Sequence, residues 1–216
     1  MLVGDRMSHP VITIPPDMPV VDALNLMRSE HIRRTPVVKD GKLVGIVSDK
    51  DLLNASPSPA TTLSVWEINY LLSKITVEEV MTRDVVTVTE DTPIEEAARI
   101  MADNKIGGLP VMRDGKIVGI ITETDLFKIF LEMMGARIPG VRVSILVPNV
   151  RGELAQLTKA IADAGGNIIS LGTFAGDDPS TALITIKLNG LTEEEVREVL
   201  KDLVEEFEDI RTMSAA

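Results

Sequence analysis

Gly45-Ile46-Val47-Ser48-Asp49-Lys50-Asp51 and Gly119-Ile120-Ile121-Thr122-Glu123-Thr124-Asp125 are one heptapeptide written twice. Each copy reads as an apolar strand that stops at a hydroxyl, with an aspartate three residues later. A carboxylate only accepts hydrogen bonds and can take two hydroxyl donors side by side. A hydroxyl and a carboxylate at one strand-to-helix corner can therefore grip a phosphate and a sugar diol. The same spacing also fits an ordinary capping box, in which the pair satisfies the first amides of a helix. The two roles can coexist.

Working outward, a shift of 74 positions (45 to 119) lays Met7–Leu53 on Met81–Phe127 without a gap, and about 18 of roughly 47 pairs are identical. The first part of the chain is an internal duplication. In each copy a short strand, Val11–Ile14 or Val85–Val88, is followed by Asp17 or Asp91 and by Pro19 or Pro93, which are helix-start signals. The helix carries Val20, Ala23, Leu24 and Met27 on one stripe, matched by Ile94, Ala97, Ala98 and Met101. Pro36-Val37-Val38 and Pro110-Val111-Met112 open a second strand. Asp40-Gly41 and Asp114-Gly115 mark tight hairpins, because both residue types tolerate positive φ. The third strand, Leu43–Val47 or Ile117–Ile121, ends at the hydroxyl corner and a further helix.

One such βαββα unit is too small to bury a core well by itself. Two copies packed by a pseudo-twofold complete each other, with residues 1–57 as the first repeat and 77–135 as the second. The linker, 58–76, becomes amphipathic, with Ser64 and Glu67 spaced as a capping box before Ile68, Leu71 and Leu72. It carries the chain's only Trp and Tyr, Trp66 and Tyr70, either packed against the pair or presented to a partner.

After Pro139-Gly140 the repeat does not return. Val141–Val147 reads as a strand, Glu153–Ala164 as a helix closed by Gly165-Gly166, and Asn167–Phe174 and Thr181–Leu188 as strands. Thr192–Phe207 reads as a long acidic helix opened by a Thr192/Glu195 capping box, and Ile210–Met213 as a last strand. The order βαββαβ over residues 139–214 implies a four-stranded antiparallel sheet with two helices on one face, the ferredoxin-like arrangement. The expected fold class is α+β.

Composition narrows the function. The net charge of -11 repels nucleic-acid phosphates and anionic lipid, so neither nucleic acid nor membrane is an expected partner. The absence of cysteine removes disulfides, thiolate catalysis and Cys-ligated zinc, and fits a reducing cytoplasm. His9 and His31 have no obvious ligand partners, so no metal site is expected. No apolar run reaches the roughly 18 residues of a membrane span, and no signal peptide is visible. With no nucleophile–base pair and no Walker-type glycine loop, an enzyme is not expected.

These motifs carry a resemblance. From the Pro-Val strand, the Asp-Gly-Lys turn and the Gly-x-x-[Ser/Thr]-x-x-Asp ending in both copies, the duplicated region resembles a tandem pair of CBS domains, a Bateman module. Val147–Leu154 and Gly165-Gly166-Asn167-Ile168 are similar to an ACT domain. The order of the two, with Trp66-Glu67-Ile68-Asn69-Tyr70 in the linker, resembles the acetoin utilisation protein family, which is thought to be regulatory. The resemblance implies an adenine nucleotide (AMP, ADP, ATP or S-adenosylmethionine) as a regulatory ligand with no required cofactor. It places ribose and phosphate at Ser48 and Asp51 and at Thr122 and Asp125, with Thr13 and Thr87 on the adenine-side strands. A basic residue at Arg33 or Arg34 is implied to meet phosphate, a role the planar guanidinium fork suits, against which stands a solvated surface pair. The second copy has Gly107 and Gly108 there, which leave space but no charge. Phosphate is therefore expected at the first copy's arginines, the second corner being empty or holding a less charged adenosine-like ligand. The ACT resemblance implies an amino acid near Asn149, Gly152 and Asn167 at a dimer interface, or a purely dimerising domain. Together these imply a homodimeric sensor with an unidentified regulated protein, or alternatively a ligand-free interaction module.

Overall fold

Proline and turn chemistry decide where the strands of the duplicated region run. In the computed structural model, which describes residues 1–55, 74–176 and 178–214, β1 (Arg34–Lys39) and β2 (Lys42–Ser48) form a hairpin whose turn residues Asp40 and Gly41 both have positive φ. Asp114 and Gly115 do the same between β4 (Gly108–Arg113) and β5 (Lys116–Thr122). The linker helix expected around Ser64–Tyr70 lies outside the described residues.

The chain forms two units, Met1–Leu126 and Phe127–Ala216. In the first, α1 (Val20–Ser29) and α4 (Ile94–Asn104) begin after Pro19 and Pro93 and bury Val20, Ala23 and Met27, and Ile94, Ala97 and Met101, as the stripes require. Among the described residues the pair also carries α2 (Asp49–Asn54), α3 (Val77–Val80) and the start of α5 (Glu123–Met133).

The opening strand of each repeat is shorter than its composition suggests. In the first copy only Ile14 bridges to Val37, whereas the second has a two-residue β3 (Val88–Thr89) parallel to β4. Pro15 stands where the second copy has Thr89, and a proline has no N–H for the ladder.

The two repeats exchange their lead-in segments. Thr82, near the start of the second copy, pairs with Ile46 of β2, each amide donating to the other's carbonyl at 2.9 Å; Ser8 and Ile120 of β5 pair reciprocally in the same way. Val77 and Met81 are buried in the first repeat's core beside Val37, Val47 and Leu52. A Cβ at Gly45 would overlap the Met81 side chain, and one at Gly119 the Met7 side chain. Each mid-strand glycine thus admits the other repeat's methionine, the close approach such a glycine permits.

In the second unit the sheet order is β7 (Asn167–Ala175), β8 (Thr181–Asn189), β6 (Gly140–Pro148), β9 (Glu206–Met213), all neighbours antiparallel. Helices α6 (Glu153–Asp163) and α7 (Glu193–Leu200) pack Leu157, Ile161, Val196 and Leu200 against Val143, Ile145, Ile184 and Ile186. This is the ferredoxin-like arrangement. One boundary departs from expectation. The Thr192/Glu195 capping box forms, but α7 stops at Leu200 and β9 already begins at Glu206. Phe207 and Ile210 pack on the core and pair with Ile145 and Val143, so tertiary pairing overrides the helical reading of this acidic stretch.

Candidate functional site

The first copy's corner is built as its spacing requires. Ser48 ends β2 in extended backbone and caps α2, and its Oγ accepts from the Asp51 amide at 3.3 Å. Asp51 Oδ2 accepts from the Ser48 amide at 2.9 Å and from Ser48 Oγ at 2.6 Å. In the second copy Asp125 Oδ2 accepts from the Thr122 amide at 3.0 Å and from Thr122 Oγ1 at 2.7 Å. The first corner is a complete capping box, and the second repeats its aspartate half. Each uses one carboxylate oxygen for the cap, and no bond to Asp51 Oδ1 is found among the described residues.

What faces the corners differs. Ser48 and Asp51 line a cleft of about 260 Å³ together with Arg34, Asp84, Val85, Val86, Lys105, Ile106, Gly107 and Gly108. Its far wall therefore comes from the second repeat, brought there by the exchanged segment at Thr82. Arg34 reaches across and donates from Nη1 to the Gly107 carbonyl at 2.6 Å. A Cβ at Gly107 would meet both the Arg34 guanidinium and the Glu123 carboxylate, and one at Gly108 would stand 3.1 Å from Arg34 Cδ. The space left by the two glycines is taken up by Arg34.

Arg33 goes elsewhere. Its Nη2 donates to Thr124 Oγ1 at 3.3 Å, in the first turn of α5 between Thr122 and Asp125. The adjacent arginines thus serve opposite corners. Of the two arginines named in the sequence, Arg34 stands beside Ser48 and Asp51, and Arg33 does not line that cleft.

Thr13 and Thr87 are exposed and do not line the cleft. In their neighbourhood the buried Thr35 donates to the Ile12 carbonyl at 2.6 Å. Thr82, Asp84, Val85, Val86 and Lys105 line the cleft and were missed by sequence reasoning. The signal that pointed to them was the glycine in the middle of each third strand, matched by a methionine at each repeat's start. Lys105 holds a left-handed backbone at φ 55, as its counterpart His31 does.

In the second unit Asn149 and Gly152 share a pocket of about 460 Å³ with Glu153, Leu154, Thr173 and Ile184. Asn149 is held by its amide to the Ser180 carbonyl at 2.7 Å and by Nδ2 to the Pro179 carbonyl at 3.1 Å. Gly152 caps α6 at φ 91, and a Cβ there would meet nothing within 4 Å, so the conformation rather than crowding requires glycine. Asn167 is not brought to this pocket. It pairs with Asn189 at the opposite end of the ladder from Ala175 and Ala182. On the helix-free face of the sheet Arg142 and Arg211 both pair with Asp209, and Arg211 foremost holds that carboxyl below the usual carboxylate range.

The duplicated strand–helix unit with a shared cleft, followed by a ferredoxin-like sheet, defines a regulatory-module architecture. The CBS domain model matches residues 3–58 and 77–132 and the ACT domain model residues 141–205; the chain belongs to the CBS domain family and carries an ACT domain after the tandem pair. Protein MJ1225 of Methanocaldococcus jannaschii is 34% identical over 137 residues, which is 60% of this chain and 47% of that protein. The chain thus spans about half the length of this relative. An inosine-5'-monophosphate dehydrogenase of Thermoplasma acidophilum is 38% identical over 117 residues, 54% of this chain and 21% of the enzyme. Among solved structures, the CBS domain pair of protein MJ0100, in complex with 5'-methylthioadenosine and S-adenosyl-L-methionine, is 34% identical with a TM-score of 0.51, covering 60% of this chain and 95% of that one. CBSX2 of Arabidopsis thaliana, in complex with AMP, is 34% identical with a TM-score of 0.52, covering 61% and 97%. A Vibrio cholerae protein provisionally assigned to acetoin utilization is 34% identical with a TM-score of 0.52, covering 62% and 93%.

Proposed function

We propose that the protein is a non-catalytic sensor whose CBS pair binds one adenine nucleotide in the cleft at the first corner. The observation that carries this reading is the convergence of Ser48, Asp51 and Arg34 on one cleft whose opposite wall comes from the second repeat. Asp51 Oδ1 takes the ribose hydroxyls, Arg34 exchanges the Gly107 carbonyl for a phosphate oxygen, and the backbone at Val85-Val86 meets the base. The 5'-methylthioadenosine and S-adenosyl-L-methionine bound by the MJ0100 pair and the AMP bound by CBSX2 support a ligand from the class of AMP, ADP, ATP or S-adenosylmethionine. Ligand binding shifts the geometry of the pair only if the two conformations bind it unequally. The ACT domain makes the homodimer that relays the shift to an unidentified regulated protein in the cytoplasm, and its Asn149–Gly152 pocket takes an amino acid.

Thermal unfolding with millimolar AMP, ADP, ATP or S-adenosylmethionine tests this. A ligand at about a hundred times its dissociation constant adds about 2.7 kcal/mol of stability. One observation favours a second reading, a ligand-free interaction module: both corner aspartates already work as helix caps. No shift with any of the four ligands would select it.

A further inference from the structure

Glu123, the first residue of α5, does not line the cleft, yet its carboxylate stands close to the arginine that does. A Cβ placed on Gly107 would fall within about 2.5 Å of both Arg34 Nη2 and Glu123 Oε2. The two groups are therefore within about 5 Å of each other, a range at which an opposite charge stabilises a charged group. The Gly107 carbonyl links them, accepting from Arg34 Nη1 at 2.6 Å and from the Glu123 amide at 3.1 Å. The other copy keeps the matching main-chain bond, from the Asp49 amide to the Arg33 carbonyl at 3.0 Å. Its shorter carboxylate does something else: Asp49 Oδ1 turns back to accept from the Lys50 amide at 2.8 Å.

We infer that Glu123 limits the phosphate number of the ligand, its carboxylate answering the charge of Arg34 so that the cleft takes an adenosine ligand with at most one phosphate. The inference rests on the nucleotide binding proposed above and names the class of nucleotide. Among the described residues the cleft lining carries the cations Arg34 and Lys105 and the carboxylates Asp51 and Asp84. These balance, and Glu123 adds a third carboxylate beside the guanidinium, so no surplus positive charge awaits a polyphosphate. Arg34 can still turn to a single phosphate. When it leaves the Gly107 carbonyl, that oxygen keeps the Glu123 amide, so no acceptor is orphaned. What is lost is the attraction between Arg34 and Glu123, and each further phosphate charge brought to Arg34 is also repelled by Glu123. A neutral nucleoside makes no such demand and leaves Arg34 where it is. Glu123 thus acts through Arg34, as a positioning residue that sets specificity.

Calorimetric titration of adenosine, AMP and ATP into the full chain and into Glu123→Gln tests this. The wild type should bind AMP about ten times more tightly than ATP. Glu123→Gln removes the charge and keeps the size; it should tighten AMP about threefold and ATP about tenfold, and change adenosine less than about twofold. Glu123→Ala, which removes the same charge with different packing, should give the same order of gains. A cap or packing role for Glu123 would instead move all three ligands together, and that result overturns the inference while leaving the sensor reading intact. So does a wild type that binds ATP more tightly than AMP. A wild type that binds none of the three overturns the sensor reading, and the inference falls with it.

Discussion

The two corners of the CBS pair carry the same cap and face different walls. The two bonds from Ser48 to Asp51 Oδ2 and the two from Thr122 to Asp125 Oδ2 match to within 0.1 Å. Opposite the first stand Gly107 and Gly108; of the arginines at the equivalent positions, Arg33 reaches the second corner at Thr124, while Arg34 turns to the first. The lesson is that local motif and binding site are separable. Duplication keeps the cap because the helix needs it, while the facing segment decides whether the corner is open and how it is charged.

The largest expected contrast lies beneath the corners. Leu52 is fully buried, whereas its counterpart Leu126 is half-buried. Leu52→Ala should cost about 2–5 kcal/mol in urea unfolding and Leu126→Ala clearly less. Equal losses would show that the two repeats share one core environment. Next comes the ligand-dependent gain of about 2.7 kcal/mol at saturating nucleotide, which Gly107→Val should abolish by forcing Arg34 out of its place; thermal shifts with AMP read this out. Smaller still are the caps. Ser48→Ala and Thr122→Ala should each cost about 1 kcal/mol without ligand, because the caps match. Unequal costs would break the equivalence of the corners. Smallest is the left-handed pair: Lys105→Gly and His31→Gly should each change stability by about 1 kcal/mol or less, relief of the positive φ being offset by unfolded-chain entropy. Only Lys105→Gly should also weaken nucleotide binding, since Lys105 lines the open cleft; isothermal titration of both variants decides it.

Much of this was legible in the sequence. The Asp-Gly hairpins, the two helix stripes and the capping boxes at Ser48 and Thr192 follow from local rules, and each formed where those rules put it. The exchange of lead-in segments was not legible, because a single bridging residue such as Thr82 has no periodicity to read. Its only trace is Gly45 and Gly119 beneath Met81 and Met7. The destinations of Arg33 and Arg34 were hidden for the same reason, since adjacency along the chain says nothing about which wall each side chain meets. The end of α7 was misplaced because Phe207 and Ile210 answer to the open edge of β6, a partner far away in sequence.

Calorimetric titration of AMP into wild type, Asp51→Ala and Asp125→Ala bears most directly on the sensor reading. The account predicts one site per chain, lost in Asp51→Ala and kept in Asp125→Ala. Binding that survives Asp51→Ala and disappears in Asp125→Ala would contradict it.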